Sequence, residues 1–73
     1  MSKLLLKHIA LGIQLLEQYV AIDVAITEAG GHIGIWHTDS SPIIVPIEVE
    51  NQLINLGWYY SVEQNEWSHP LSN

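Results

Sequence analysis

The spacing of apolar residues changes along this chain, and the change limits the folds that the chain can adopt. Near the amino terminus, apolar residues recur at spacings of four, four and three, at Leu5, Ile9, Ile13 and Leu16. Across residues 20–27, apolar residues instead alternate with small or polar ones, as in a β-strand with one buried face. The sequence therefore predicts a helix over residues 3–18, capped by Ser2, followed by a strand.

A glycine pair separates this strand from a second alternating segment. Residues 30–31 are both glycine and permit a tight turn. Residues 32–37 then return as a second strand, with Ile33 and Ile35 on the same side as the apolar residues of the first strand. This pattern indicates a β-hairpin with one consistent apolar face.

A second interpretation of residues 20–29 remains open at this point. No helix-breaking residue interrupts them, so the first helix could continue to residue 29 and end at Gly30. Short apolar runs are compatible with either structure, and the sequence does not decide between strand and helix here.

The second half of the chain has the same order of helix and hairpin. Pro46 and Gly57 bound an amphipathic segment, at positions where proline and glycine typically begin and end helices. Residues 58–69 then fold back at Asn65, which tolerates a left-handed backbone. The prediction is a single α+β domain over residues 1–73, of order helix-hairpin-helix-hairpin (αββαββ), with an antiparallel sheet covered on one face by two helices.

The distribution of charge limits the partners that the chain can bind. Lys3 and Lys7 are the only lysines or arginines, so the 66 residues from His8 onward contain no fixed positive charge, whereas all eight acidic residues lie there. Nucleic acids and anionic membranes are bound mainly through lysine and arginine, and neither is an expected direct partner. With no apolar run of about 18 residues, we expect a cytoplasmic protein whose partner is another protein with a basic surface.

The composition also favours self-association. Ile, Leu and Val make up 24 of the 73 residues, charged residues only 14 %, and there is no cysteine to form a disulfide. A chain of this size has a small core, and some apolar surface is expected to remain outside it. We therefore expect a homo-oligomer. The predicted self-association surface is a second stripe along the first helix, made of Leu4, His8, Leu11 and Leu15.

Catalytic and metal-binding patterns are weak in this sequence. In the segment richest in potential metal ligands, only His37 and Asp39 can converge on one face of a strand, and a structural zinc site needs four ligands. The serines lie outside any strand-turn-helix elbow that would activate a nucleophile. We therefore predict no catalytic residue, no cofactor and no metal, and a structural hydrogen-bonding role for His37.

Aromatic and acidic residues on the outer side of the sheet form the best candidate binding surface. Trp36 is predicted to share a face with Asp23 and with small residues that would leave its ring protruding from a flat surface. An alternative, burial of Trp36 beneath a helix, remains open. The complete predicted protein-binding set is Trp36, Asp23, Tyr59, Glu63 and Glu66.

These observations predict a non-enzymatic, small acidic protein-interaction module. One form of it is an inhibitor or adaptor that docks on the basic, nucleic-acid-binding surface of another protein. An alternative is a structural or accessory subunit of a homo-oligomer or larger assembly. A third alternative, the least favoured, is a small metal-dependent enzyme.

Overall fold

The computed structural model describes residues 3–26 and 31–71, with side chains from Leu6 onward. The elements, in chain order, are α1 (Lys3–Glu17), β1 (Ile22–Ile26), β2 (His32–His37), α2 (Ile47–Asn55), β3 (Tyr59–Ser61) and β4 (Glu66–Pro70). The prediction of a small α+β fold with two helices and an antiparallel sheet is confirmed. In the part of the chain that the structure describes, no helix combines the length and apolarity needed to cross a membrane.

Helix α1 ends where the apolar spacing changes. The backbone N–H groups of Tyr19 and Val20 both donate to the carbonyl of Leu16, at 3.0 and 3.1 Å, and close the last turn of the helix. Residues 22–26 then form a strand, so the alternative of a helix continuing through them is wrong. The β-branched residues of this segment favour that outcome. The predicted turn at Gly30 lies outside the described residues.

The four strands form one antiparallel sheet in the order β1-β2-β4-β3. Val24 pairs with Ile35, Ile35 with Trp67, and Trp67 with Tyr60, so one row of large apolar side chains crosses the whole sheet. Ile33 and Ile35 therefore lie on the same face as the apolar residues of β1, as predicted. This face is called the inner face below.

The core lies between the inner face and residues from both helices. Its buried apolar members are Ile9, Leu16, Ile35, Ile43, Val49, Leu53, Trp58 and Trp67. The two sheet residues among them belong to the middle strands β2 and β4. At the edge strand β1, Val24 and Ile26 remain 40 % and 63 % exposed, so the inner face is incompletely covered there.

Helix α2 begins and ends at the residues that the sequence indicated. Pro46 is its N-cap, and Gly57 follows the helix with φ of 97°, a left-handed conformation that glycine adopts readily. The segment before it, residues 41–46, has no regular secondary structure but buries Ile43, which is 6 % exposed. Asn65 has φ of 52°, which confirms the predicted left-handed residue between β3 and β4.

Candidate functional site

The outer face of the sheet brings together acidic and aromatic residues that are distant in sequence. Asp23 on β1 pairs with Trp36 on β2, and Trp36 pairs with Glu66 on β4. Side chains of directly paired residues point to the same side of a sheet. One tryptophan therefore lies between two carboxylates in a single row across three strands.

The adjacent row consists of small residues. Ala25, Gly34 and Ser68 are paired across β1, β2 and β4, and of these Ala25 is exposed whereas Gly34 and Ser68 are buried. The carboxylate of Glu66 leans over this row, because a Cβ added to Gly34 would lie 3.2 Å from Glu66 Oε2. The hydroxyl of Ser68 donates to Glu66 Oε1 at 3.3 Å and holds the carboxylate in that position.

A second aromatic group lies on the same face. Tyr59 pairs with Ser68, is 46 % exposed, and meets His32 edge to face with ring centroids 6.1 Å apart. Trp36 is half-buried. Four residues of the predicted protein-binding set, Asp23, Trp36, Tyr59 and Glu66, thus share the outer face.

Glu63, the fifth residue of the predicted set, lies apart from the others. It is exposed in the turn at residues 62–65, beyond the paired part of the β3-β4 hairpin. Since Glu66 follows this turn directly, Glu63 can add negative charge only at the edge of the outer face. We refer to Asp23, Trp36, Tyr59 and Glu66 as the outer-face set.

The predicted self-association stripe along α1 is divided by packing. Leu11 remains 37 % exposed, whereas Leu15 packs partly against the core. His8 is half-buried, and its backbone carbonyl accepts a hydrogen bond from Trp58 Nε1 at 3.3 Å. Leu4 lies outside the described side chains. Leu11 and Leu15 also line an open groove of about 320 Å³ whose other wall belongs to the end of α2.

His37 and Asp39 converge, as their spacing predicts. His37 Nδ1 lies 2.8 Å from Asp39 Oδ1 and 3.3 Å from the backbone N of the same residue. One ring nitrogen cannot both donate to the carboxylate and accept from the N–H, and the shorter carboxylate contact identifies it as the donor. Hydrogen bonds from the hydroxyl and backbone N–H of Ser41, with His37 adding to them, lower the pKa of Asp39 below its ordinary value of 3.8.

This pair does not extend to a larger ligand set. Among residues 3–26 and 31–71, no three histidine, aspartate or glutamate side chains are grouped so that they could hold a metal ion. The arrangement is instead that of an Asx-type turn, in which Ser41 N–H donates to Asp39 Oδ1 at 2.9 Å. Its chemistry is that of a hydrogen-bonded turn.

An open pocket of about 500 Å³ lies between the sheet and α2, beside β3. Four aromatic residues line it, namely Trp58, Tyr59, Tyr60 and Trp67. The rings of Tyr60 and Trp67 are 5.3 Å apart at 68°, so the two planes form a corner. Trp67 is 3 % exposed, and its Nε1 is buried without a hydrogen-bond partner among the described residues.

The rest of the pocket wall comes from α2 and the segment before it, and the sequence did not predict that these lie beside the aromatic residues. Pro42 and Ile43 belong to the segment before α2, and Glu50 and Ile54 belong to α2 itself. Glu50 is the only charged residue among the described residues that line the pocket. We refer to this cavity as the aromatic pocket. Hydrophobic periodicity does not reveal this cavity, because a cavity depends on how irregular segments pack against the sheet.

Comparison with protein-family models, curated proteins and solved structures found no match to this chain.

Proposed function

We propose that the protein is a non-enzymatic interaction module that docks the outer face of its sheet on a basic surface of another protein. The observation that carries this proposal is the row in which Trp36 lies between Asp23 and Glu66. An aromatic ring supplies apolar contact area, and flanking carboxylates select a positively charged partner. Arginine suits both requirements, since it pairs with carboxylates and stacks on aromatic rings.

The charge of the whole chain supports the same partner. The formal net charge is −6 at pH 7, and the 66 residues from His8 onward contain no lysine or arginine to oppose a basic surface. Long-range attraction of this kind increases association rates and weakens at high salt. An inhibitor or adaptor that covers a nucleic-acid-binding surface is one form of this function.

The two helices favour the outer face as the docking side. Both contribute buried residues to the core against the inner face, at Ile9 and Leu16 from α1 and at Val49 and Leu53 from α2. In the proposal, the helical layer supports the sheet and leaves the opposite face free for a partner. Of the small residues beside Trp36, Ala25 is exposed, and it allows a close approach there.

A charge-matched pair of variants tests this proposal. Asp23→Asn with Glu66→Gln removes two negative charges from the outer face, whereas Glu17→Gln with Glu48→Gln removes two from exposed helical positions. Captured proteins would be identified by mass spectrometry after incubation of the immobilised chain with lysate at low and moderate salt. We expect the wild type and the helical variant to retain basic proteins, and the outer-face variant to lose them.

Two results would contradict the docking proposal. One is recovery of the same proteins by both double variants, since net charge alone would then explain capture. The other is the absence of basic proteins among those recovered by the wild type. Far-UV circular dichroism of each variant establishes that the fold is retained.

A second function, an accessory subunit that self-associates, is favoured by a separate observation. Large apolar side chains remain exposed along and beside the helices, including Leu6 at 50 %, Ile47 at 61 % and Ile54 at 58 %. In this proposal, a second copy covers the groove at Leu11 and Leu15. Sedimentation equilibrium tests it, because a mass that remains monomeric at all concentrations would rule out self-association.

A further inference from the structure

We propose that the aromatic pocket binds a small organic cation, in which an apolar body carries one ammonium group. The pocket shares Tyr59 with the outer-face set, but its other lining residues lie outside that set. Its volume of about 500 Å³ is within the range of small-molecule sites in proteins, which is about 300–1,000 Å³. Its lining has the composition typical of such sites, in which apolar and aromatic residues surround very few polar groups.

The aromatic rings favour a positive charge. The face of an aromatic ring carries negative electrostatic potential, and a cation within about 6 Å of the ring centre is attracted to it. Tyr60 and Trp67 form a corner of two rings at 68°, and Trp58 is also part of the wall. Trp58 and Trp67 are only 2 % and 3 % exposed, so the ring surface open to a cation belongs chiefly to Tyr59 and Tyr60.

Charge complementarity decides between the classes of ligand. Glu50 is half-buried and is the only charged group among the described lining residues, so an anion would be repelled and would find no basic partner. A neutral apolar ligand would gain contact with the rings but would leave Glu50 without a counter-charge. An ammonium group satisfies both Glu50 and the ring faces.

The edge position of β3 gives access to this site. The strand lies at the end of the sheet order, and the pocket opens beside it. Pro42 and Ile43, from the segment before α2, also line the pocket, so a bound molecule would contact both that segment and the sheet. The ligand class is thus defined by an aromatic corner, an apolar body site and one carboxylate.

Three probes with the same aryl body and different charge test the proposal. These are phenylpropylammonium, phenylpropanol and phenylpropanoate, titrated into the ¹⁵N-labelled chain and followed by NMR. We expect the ammonium compound to bind about tenfold more tightly than the alcohol, and the carboxylate to bind least. Equal affinity for the alcohol and the ammonium compound would overturn the proposal, as would failure of the ammonium compound to bind.

The three tryptophans report where the probe binds. The indole N–H signals of Trp58 and Trp67 are expected to shift on titration, whereas that of Trp36 on the outer face is expected to stay in place. A shift of the Trp36 signal alone would place the cation beside Asp23 and Glu66 and would overturn the assignment to the aromatic pocket. It would leave the docking proposal intact.

Two substitutions in the first turn of α2 provide the matched control. Glu50→Gln removes the charge that lines the pocket, and Glu48→Gln removes an exposed charge from the same turn. Both substitutions remove one negative charge from the first turn of α2. A difference in ligand affinity between them therefore reports on the charge that lines the pocket. We expect Glu50→Gln to lower the affinity for the ammonium compound about fivefold and Glu48→Gln to leave that affinity unchanged. Equal effects of the two substitutions would contradict the role of Glu50.

Discussion

At the scale of single residues, Gly12 determines how closely α1 approaches the core. It is buried in the middle of the helix, and a Cβ at this position would overlap the indole ring of Trp58. Alanine normally stabilises a helix interior by about 1 kcal/mol relative to glycine. Here we expect Gly12→Ala to lower the free energy of unfolding by about 1–3 kcal/mol, because overpacking outweighs helix propensity. Urea unfolding followed by circular dichroism measures the change.

Gly31 provides the matched control for this substitution. A Cβ added there meets no atom within 4 Å, and so Gly31→Ala is expected to change the free energy of unfolding by less than about 0.5 kcal/mol. If Gly12→Ala proves as stable as the wild type, that result would contradict the close packing of Trp58 against α1 at this position.

His69 is a second residue with a specific role in stability. It is 4 % exposed, with Nε2 at 2.8 Å from the carbonyl oxygen of Leu56 and Nδ1 at 2.8 Å from that of Pro70. A neutral imidazole donates to only one of these oxygens at a time. The contact with Leu56 satisfies a carbonyl at the end of α2, where the helix itself provides no partner.

Two substitutions of similar size separate hydrogen bonding from packing at His69. His69→Leu removes every donor and is expected to lower the free energy of unfolding by about 1–3 kcal/mol through the unpaired carbonyl. His69→Gln keeps an amide donor, so its free energy of unfolding should fall by less than that of His69→Leu. Denaturant unfolding of both variants gives the order, and greater stability of the leucine variant would show that the hydrogen bond is unimportant.

At the scale of elements, local patterns indicated the helices and strands but not how the strands are ordered. The apolar face of Ile33 and Ile35 could be predicted from alternation, and the bounds of α2 from Pro46 and Gly57. Both features depend only on residues that are close in sequence. Pairing of β2 with β4 joins residues thirty or more positions apart, and no local signal specifies it. The row through Asp23, Trp36 and Glu66 therefore required the structure.

The aromatic pocket also could not be predicted from the sequence, because it is formed by segments that are distant along the chain. Its lining combines the irregular segment at Pro42 and Ile43 with Glu50 on α2 and rings from the β3-β4 hairpin. Each aromatic residue was visible in the sequence. Their joint enclosure of a cavity depends on the path of the irregular segment, which hydrophobic periodicity does not determine.

The turn between β2 and α2 gives a prediction about acid stability. The pKa of Asp39 is lowered by hydrogen bonds from Ser41 and by the nearby His37, so the ionised carboxylate is favoured in the folded state. Its contribution to stability is present above the unfolded-state value of 3.8 and is lost as the pH falls through the lower folded-state value. Asp39→Asn should therefore be less stable than the wild type near neutral pH.

The pH dependence distinguishes this electrostatic effect from a general effect of the substitution. The difference in unfolding free energy between wild type and Asp39→Asn should narrow as the pH falls below 3.8 and the wild-type carboxyl is protonated. Urea unfolding across an acidic pH series measures the difference. A gap that remains constant would show that Asp39 is not stabilised by its charge.

At the scale of the whole molecule, the balance between a small core and exposed apolar surface favours association. Eight apolar residues are buried, whereas ten large hydrophobic residues remain exposed among the described part of the chain. A chain of 73 residues gains limited stability from its own core. Covering even part of the exposed surface with a second copy would stabilise the folded state.

Association of folded chains makes stability depend on concentration. The unfolded chain lacks the interface, so a self-associating protein should show a thermal midpoint that rises with protein concentration. We expect this rise over about a hundredfold concentration range, measured by circular dichroism at low concentration and by calorimetry at high concentration. A midpoint that is independent of concentration would exclude a stabilising self-association.

Two substitutions locate the interface on the molecule. Leu11→Gln places an amide in the groove between the helices, whereas Val62→Gln makes a similar change at the hairpin turn, where Val62 is 78 % exposed. If copies associate through the predicted stripe, Leu11→Gln should abolish the concentration dependence and Val62→Gln should preserve it, because only the first introduces an amide into the proposed contact. Loss of the dependence with Val62→Gln alone would move the interface to the hairpin end of the sheet. Retention with both variants would place it on another exposed surface and contradict self-association through α1.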